Sequence, residues 1–256
     1  MFTDTHSHIH YSKEFPDVGE VLQRAVEAGV TRQMIVGCTV EDSFGALEFV
    51  EKHSDFSLWS TLGVHPHNAN EWNDEVCGRF RKTALEEKKV VALGEMGLDY
   101  FRNFQPHDVQ ARALREQLAL ARELDLPAVV HVRDAWDDAL KILQESGHSK
   151  VILHCFTGTL EHARICWKNG YYLSFSGVLT YPKNEYLREI AAQTSPELLL
   201  IETDCPYLAP QVFRGKRNEP AFVVETAKVL ARARGVELEE IGKLTTANAL
   251  KLFGVD

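Results

Sequence analysis

The sequence predicts an α/β protein of the (β/α)8, or TIM-barrel, class, and three observations carry that expectation. Eight short runs rich in β-branched and aliphatic residues alternate with longer amphipathic stretches. The chain has 256 residues, close to the length that eight βα units need. Ligand-type side chains gather at the C-terminal ends of the runs, which is where barrels of this class carry their chemistry.

The first extended run is Phe2–His8, followed by VGEVLQRAVEAGV, an amphipathic stretch closed by Gly29. The second is Gln33–Thr39, with SFGALEFVEKH behind it. Ser57–Val64 and Val90–Glu95 are the third and fourth. VQARALREQLALARELDLP then repeats apolar residues on a helical period and stops at Pro127. Ala128–Val132, Val151–His154, Tyr171–Ser176 and Leu198–Asp204 complete the eight. PAFVVETAKVLARARG and LEEIGKLTTANALKLFG read as two closing helices. A doubly wound open sheet is the alternative. It would place a Gly-rich phosphate loop after the first strand, and THSHIHYSKEF contains no Gly. No linker, low-complexity segment or fixed-period repeat interrupts the pattern, so residues 1–256 are expected to form a single domain.

Hydrophobic residues make up 45% and charged residues 25%, enough for a large core and unlike a disordered chain. The net charge of −9 argues against a general polyanion binder. It leaves nucleic acid open as a substrate held by a local basic patch or by bound cations. The five cysteines are odd in number and form no CxxC pair, which argues against a disulfide framework or a zinc knuckle. No apolar run reaches the length of a membrane span and no secretory signal is visible, so the expected location is the cytoplasm, away from membranes. No protein partner is indicated, and a monomer is the default.

Taken in order, the strand ends offer His6 and His8, Cys38, His65 and His67, Glu95, His131, His154, and finally Glu202 with Asp204. A lone histidine at a strand end is usually a hydrogen-bonded structural residue. Convergence at one barrel mouth changes that reading. His6, His8, His131 and His154 with Glu95 and Asp204, unpaired by any obvious Lys, suit two divalent cations. Glu95 can hold one cation with each oxygen. Two cations about 4 Å apart clamp a phosphoryl group and acidify a water, and Asp204 is the candidate to accept its proton. Strand alternation puts Glu202 on the face of Asp204, where it can orient a ligand histidine, and turns Cys155 and Cys205 toward the core. His10 has the right parity but lies where the chain leaves the barrel, so it belongs to the mouth or to solvent.

The loop APQVFRGKRNEPAF carries Arg214, Lys216, Arg217 and Asn218. On composition it is a solvated loop closed by a helix with Pro220 in its first turn. In barrels, however, the loop after the last strands often binds phosphate, which two Arg and a Lys suit. His65 either caps its strand or donates to a substrate phosphate oxygen. The aromatic residues of LDYFRNF are expected to pack the loop after the fourth strand, with base stacking as the alternative. His53, His107, His148 and His162 lie away from the strand ends.

DTHSHIH, GVHPH, ALGEMGLDY, VVHVRDA, VILHCFTG, LSFSG, IETDCPYLAP and RGKRNEPAF, in that order and followed by TTANALKLFG, resemble the TatD family of metal-dependent deoxyribonucleases. The resemblance implies a TIM barrel of the metallo-dependent hydrolase type. It implies a first metal held by His6, His8 and Asp204, a second held by His131 and His154, and Glu95 bridging them or serving mainly the first. The cations would be Mg, Mn or Zn. The implied activity is hydrolysis of DNA phosphodiester bonds by a metal-activated water, as a 3′→5′ exonuclease on single strands. His65 and RGKRNEP would lie near the substrate phosphate. Met96 stands where the family usually has Thr, and Ser7 where it usually has Cys. Both flank ligands without replacing them.

Two other functions compete. An amidohydrolase or lactonase could use the same scaffold, but many such relatives bridge their metals with a carbamylated Lys at the end of the fourth strand. Glu95 stands there, and VVALGEMGLDY has no Lys. A non-catalytic metal-binding protein would not need six ligands with room for water.

Overall fold

In the computed structural model, which describes residues 1–255, eight parallel strands form one sheet in sequential order. They are β1 (Phe2–Ser7), β2 (Val30–Ile35), β3 (Ser57–Leu62), β4 (Val90–Asp99), β5 (Ala128–Arg133), β6 (Val151–Leu153), β7 (Tyr172–Phe175) and β8 (Leu199–Ile201). The sheet returns to its start. Ser7 bridges Cys205 in parallel, and His8 N–H donates to the Cys205 carbonyl at 2.9 Å. The (β/α)8 barrel expected from the sequence is therefore the fold.

Helices alternate with the strands: α1 (Val18–Glu27), α2 (Val40–Lys52), α3 (Asp74–Glu86), α4 (His107–Glu123), α5 (Trp136–Ser146), α6 (Leu160–Lys168), α7 (Glu185–Gln193), α8 (Val223–Arg234) and α9 (Leu238–Phe253). α1 to α8 cover the outer face of the sheet and side chains fill its interior, so the strands are buried on both sides; all ten residues of β4 are buried. That explains why the strands read as apolar runs with no clean polar alternation. Ala249, Leu252 and Phe253 of α9 join Met34, Val129, Ile152 and Leu200 in one buried cluster. Each large side chain withdrawn from water there contributes about 1.5–3 kcal/mol.

Several boundaries differ from the sequence expectation. β2 begins at Val30 and ends at Ile35, well before Thr39. Thr39 instead caps α2, its hydroxyl accepting the Asp42 N–H at 3.0 Å, the role for which Thr is favoured at a helix start. β8 stops at Ile201, and Asp204 takes a left-handed φ of +57°. β6 stops at Leu153, and Cys155 sits at φ +43°. Strand alternation therefore does not run through Glu202–Cys205 or His154–Cys155; loop geometry places those side chains. Among the described residues no helix is long and apolar enough to cross a membrane.

A candidate binuclear metal centre

The cluster is built on backbone ladders that continue past the strand ends. Glu95 N–H donates to the Gly37 carbonyl and His65 N–H to the Cys38 carbonyl, both at 2.9 Å. Asp204 N–H donates to the His6 carbonyl at 2.9 Å, and His154 N–H to the Val130 carbonyl at 3.1 Å. These bonds hold the ends of neighbouring segments at one level. Gly97, at φ +151°, lets β4 approach β5 at that level, because a Cβ there would collide with the His131 carbonyl.

All six expected ligands meet around the buried Glu95 carboxylate. On one side, Oε2 lies 3.3 Å from His6 Nε2, which is 3.3 Å from His8 Nε2. Asp204 Oδ1 lies 3.5 Å from His8 Nε2 and 3.8 Å from His6 Nε2. On the other side, Oε1 lies 2.9 Å from both His131 Nδ1 and His154 Nε2. These are separations expected of atoms that share an ion through bonds of about 2.0–2.2 Å. The ring tautomers suit that use. His8 Nδ1 donates to the Val36 carbonyl at 2.8 Å, which leaves its Nε2 lone pair facing the cluster. His154 is held likewise, with Nδ1 3.2 Å from Glu202 Oε1, which also accepts the Cys155 N–H at 2.6 Å.

The electrostatics agree with the geometry. Burial alone would raise Glu95, but the charge of His154 and the hydrogen bonds from His131 and His154 hold it well below the usual carboxylate range. Burial would raise Asp204 too, yet His8, His6 and His154 keep it low. Burial works against a charge on His154, but Glu95 and Glu202 hold its imidazole well above its ordinary range. A proton there does what a cation would do: it balances carboxylates withdrawn from water.

His65 stands beside this cluster, with Nε2 3.4 Å from Glu95 Oε1. Its Nδ1 accepts the His67 N–H at 3.1 Å, so a neutral ring carries its proton on Nε2 and presents a donor to the site. Burial depresses its pKa to about 4, which keeps that ring neutral. His10 is away from the cluster but is not in solvent. Its nearly buried ring pairs with Asp42 at 2.8 Å, and Asp42 also accepts the Cys38 N–H at 2.8 Å.

The basic loop divides. Arg217 is committed to α1, with its guanidinium 2.7 and 2.8 Å from the Asp17 oxygens and stacked over Phe15. Asn218 is buried and donates to the Thr203 and Tyr207 carbonyls at 2.9 and 2.6 Å. Both hold the loop in place. Arg214 lies over the Tyr181 ring at 4.3 Å and Lys216 near Phe213 at 5.8 Å; among the described residues neither pairs with a carboxylate.

One group escaped the sequence reading, and two that it named acquire definite surroundings. Buried Asp99 lies 2.8 Å from His67 Nε2 and 3.5 Å from His131 Nε2, backing His131 as Glu202 backs His154. Burial pushes Asp99 up, but His131, the Arg102 N–H and His67 hold it low. The signal was present in the sequence: Glu95, Gly97 and Asp99 share one face of β4. Cys38, one of the ligand-type residues offered at the strand ends, has its thiol 3.5 Å from Glu95 Oε2. Phe101 and Phe104, expected to pack their loop with base stacking as the alternative, are exposed and do not pack it.

Comparison with known proteins gives a consistent result. The sequence profile described as "TatD related DNase" matches residues 3–254. A Bacillus subtilis protein, the uncharacterized metal-dependent hydrolase YabD, is 41% identical over 258 residues, covering 100% of both chains. The 3′-5′ ssDNA/RNA exonuclease TatD of Pantoea ananatis is 39% identical over 246 residues, covering 93% of this chain and 94% of its own. The crystal structure of YJJV, a TatD homologue from Escherichia coli, superposes with a TM-score of 0.92 at 30% identity, covering 100% of this chain and 98% of that one. The motif resemblance thus extends through the whole barrel, and the chain belongs to the TatD related DNase family.

Proposed function

We propose that this chain, as a single domain of residues 1–256, hydrolyses phosphodiester bonds in single-stranded DNA from the 3′ end, using two divalent cations of the Mg, Mn or Zn type. The observation that carries the reading is the Glu95 carboxylate, whose two oxygens face two separate ligand groups. His6, His8 and Asp204 would hold one cation, His131 and His154 the other, and Glu95 both. Cations bound there supply Lewis acidity toward a phosphoryl oxygen and toward water.

The remaining steps belong to side chains. Asp204 accepts the proton of the attacking water at its carboxylate. His65 donates Nε2–H to a phosphate oxygen, for which its neutral state and fixed tautomer prepare it. Glu202 and Asp99 hold His154 and His131 in register. Arg214 and Lys216 attract the strand's backbone, while Arg217 and Asn218 keep their loop in place. The exonuclease activity for which the Pantoea relative is named supports the exonuclease reading.

The test is a parallel assay of single-stranded DNA, RNA, phosphomonoesters, small lactones and small amides with Mg, Mn or Zn added. Cleavage of DNA that a chelator abolishes is the expected result. Amidase or lactonase turnover without any phosphodiesterase activity would overturn the proposal.

A further inference from the structure

Three strands lie between β4 and β8 on either side of this eight-stranded barrel, so the loops that follow them face each other across the mouth. Both loops leave aromatic rings in solvent: Phe104 is 63% exposed and Tyr207 55%. Neither ring is remote from the cluster. Phe104 lies edge-on to His67, with centroids 4.7 Å apart, and His67 is 4.2 Å from His65. Tyr207 stands edge-on to His8 at 6.4 Å. A single exposed aromatic on a surface needs no explanation, but two that flank one carboxylate–imidazole cluster from opposite sides call for an occupant.

The surroundings identify its chemistry. Beside Phe104, the exposed Phe101 ring is covered by the Arg133 guanidinium at 4.0 Å. On the side of Tyr207, Arg214 lies over Tyr181 at 4.3 Å. Rings that can stack, with guanidinium groups among them, are what a single-stranded nucleic acid requires: flat base faces to cover and a phosphate backbone to neutralise. A duplex has its base faces already stacked.

We infer that Phe104 and Tyr207 are base-stacking residues, holding the unpaired nucleotides on the two sides of the scissile phosphate. The inference rests on the phosphodiesterase reading of the Glu95 cluster, and it assigns the preference for single strands to two named rings. Stacking reads a face that every base has, so the grip is indifferent to sequence.

The experiment measures binding and cleavage separately, on the full chain. Binding of a labelled short oligothymidylate is followed by fluorescence anisotropy with Ca²⁺ present, for the wild type, Phe104→Ala, Tyr207→Ala and Phe104→Trp. A matched strand carrying abasic sites at its 3′ end is the second ligand. Each alanine variant is expected to weaken oligothymidylate binding about tenfold, in the range that base–aromatic stacking carries. Phe104→Trp restores it. The abasic strand binds wild type and variants alike, and in cleavage assays the loss falls on KM with kcat kept. Wild-type affinity in both alanine variants, or no binding by the wild type, overturns the inference. A protein that binds through these rings yet cleaves no phosphodiester leaves the inference standing and sinks the catalytic reading.

Discussion

Glu202 lies 3.2 Å from His154 Nδ1, on the side of the ring that faces away from Glu95. The imidazole is thus held between two carboxylates, and which nitrogen faces the cluster is fixed from behind. Glu202→Gln keeps the shape and removes the charge that makes His154 a strong donor. We expect affinity at the second cation position to fall about 10–100-fold, as for other carboxylates behind metal-bound histidines. Metal titration followed by calorimetry checks this, and unchanged affinity would remove Glu202 from that role.

Asp204→Asn tests the proton acceptor. An amide can still offer an oxygen to a cation but accepts no proton at neutral pH. Turnover should fall about 10²–10⁴-fold with metal content retained. Full turnover with both cations measured in place would assign the proton to another group.

Cation binding should depend on pH with a definite sign. His154 is held well above its ordinary range, chiefly by Glu95 and Glu202 acting against burial, so a cation at its Nε2 must displace a proton. Binding therefore releases protons and tightens as pH rises toward the raised His154 value. Below it, protons compete and affinity falls. Titrations in buffers of different ionisation enthalpy count the released protons directly, and zero release at neutral pH would contradict the charge balance described for the cluster.

The basic loop should separate under mutation. Arg217→Ala removes the ion pair with Asp17 and the stacking on Phe15, so stability should fall by about 1 kcal/mol, the upper range for a partly exposed ion pair. Thermal unfolding measures it. Arg214→Ala and Lys216→Ala should leave stability unchanged and weaken DNA binding. Removing one cation that neutralises a phosphate makes the slope of log affinity against log salt shallower by about 0.7 for single strands. Equal slopes in all three variants and the wild type would mean that none of these side chains touches phosphate.

Gly97→Ala places a methyl against the His131 carbonyl, where β4 and β5 are closest, and at φ +151° it adds backbone strain. Loss of cation binding together with a lower melting temperature is expected, since Glu95 and His131 stand on these strands. A well-folded variant that still binds cations would show that the strands can separate without disturbing the cluster.

The barrel and its cluster were legible in the sequence for one reason: both follow from local repetition. Eight apolar runs alternating with amphipathic stretches give the topology, because parallel strands must be covered by the helices that connect them. Ligands placed at the ends of those runs converge because the barrel closes. His6, His8, Glu95, His131, His154 and Asp204 could therefore be grouped by position alone, and DTHSHIH through TTANALKLFG could be matched to a family.

The tertiary structure decided what depends on approach between distant segments. It buried His10 against Asp42, committed Arg217 to Asp17, turned Asn218 inward, and set Asp99 behind His131. It also fixed the His65 tautomer through the His67 amide, and it left Phe104 and Tyr207 in solvent on facing loops. Composition marks such residues as able to bind, cap or stack. Their roles are set by which partner lies within about 3 Å, and hydrogen bonds and ion pairs act only at that range. Periodicity carries no information about those distances once the chain leaves a strand, as it does at Asp204, where a left-handed turn and not alternation aims the side chain.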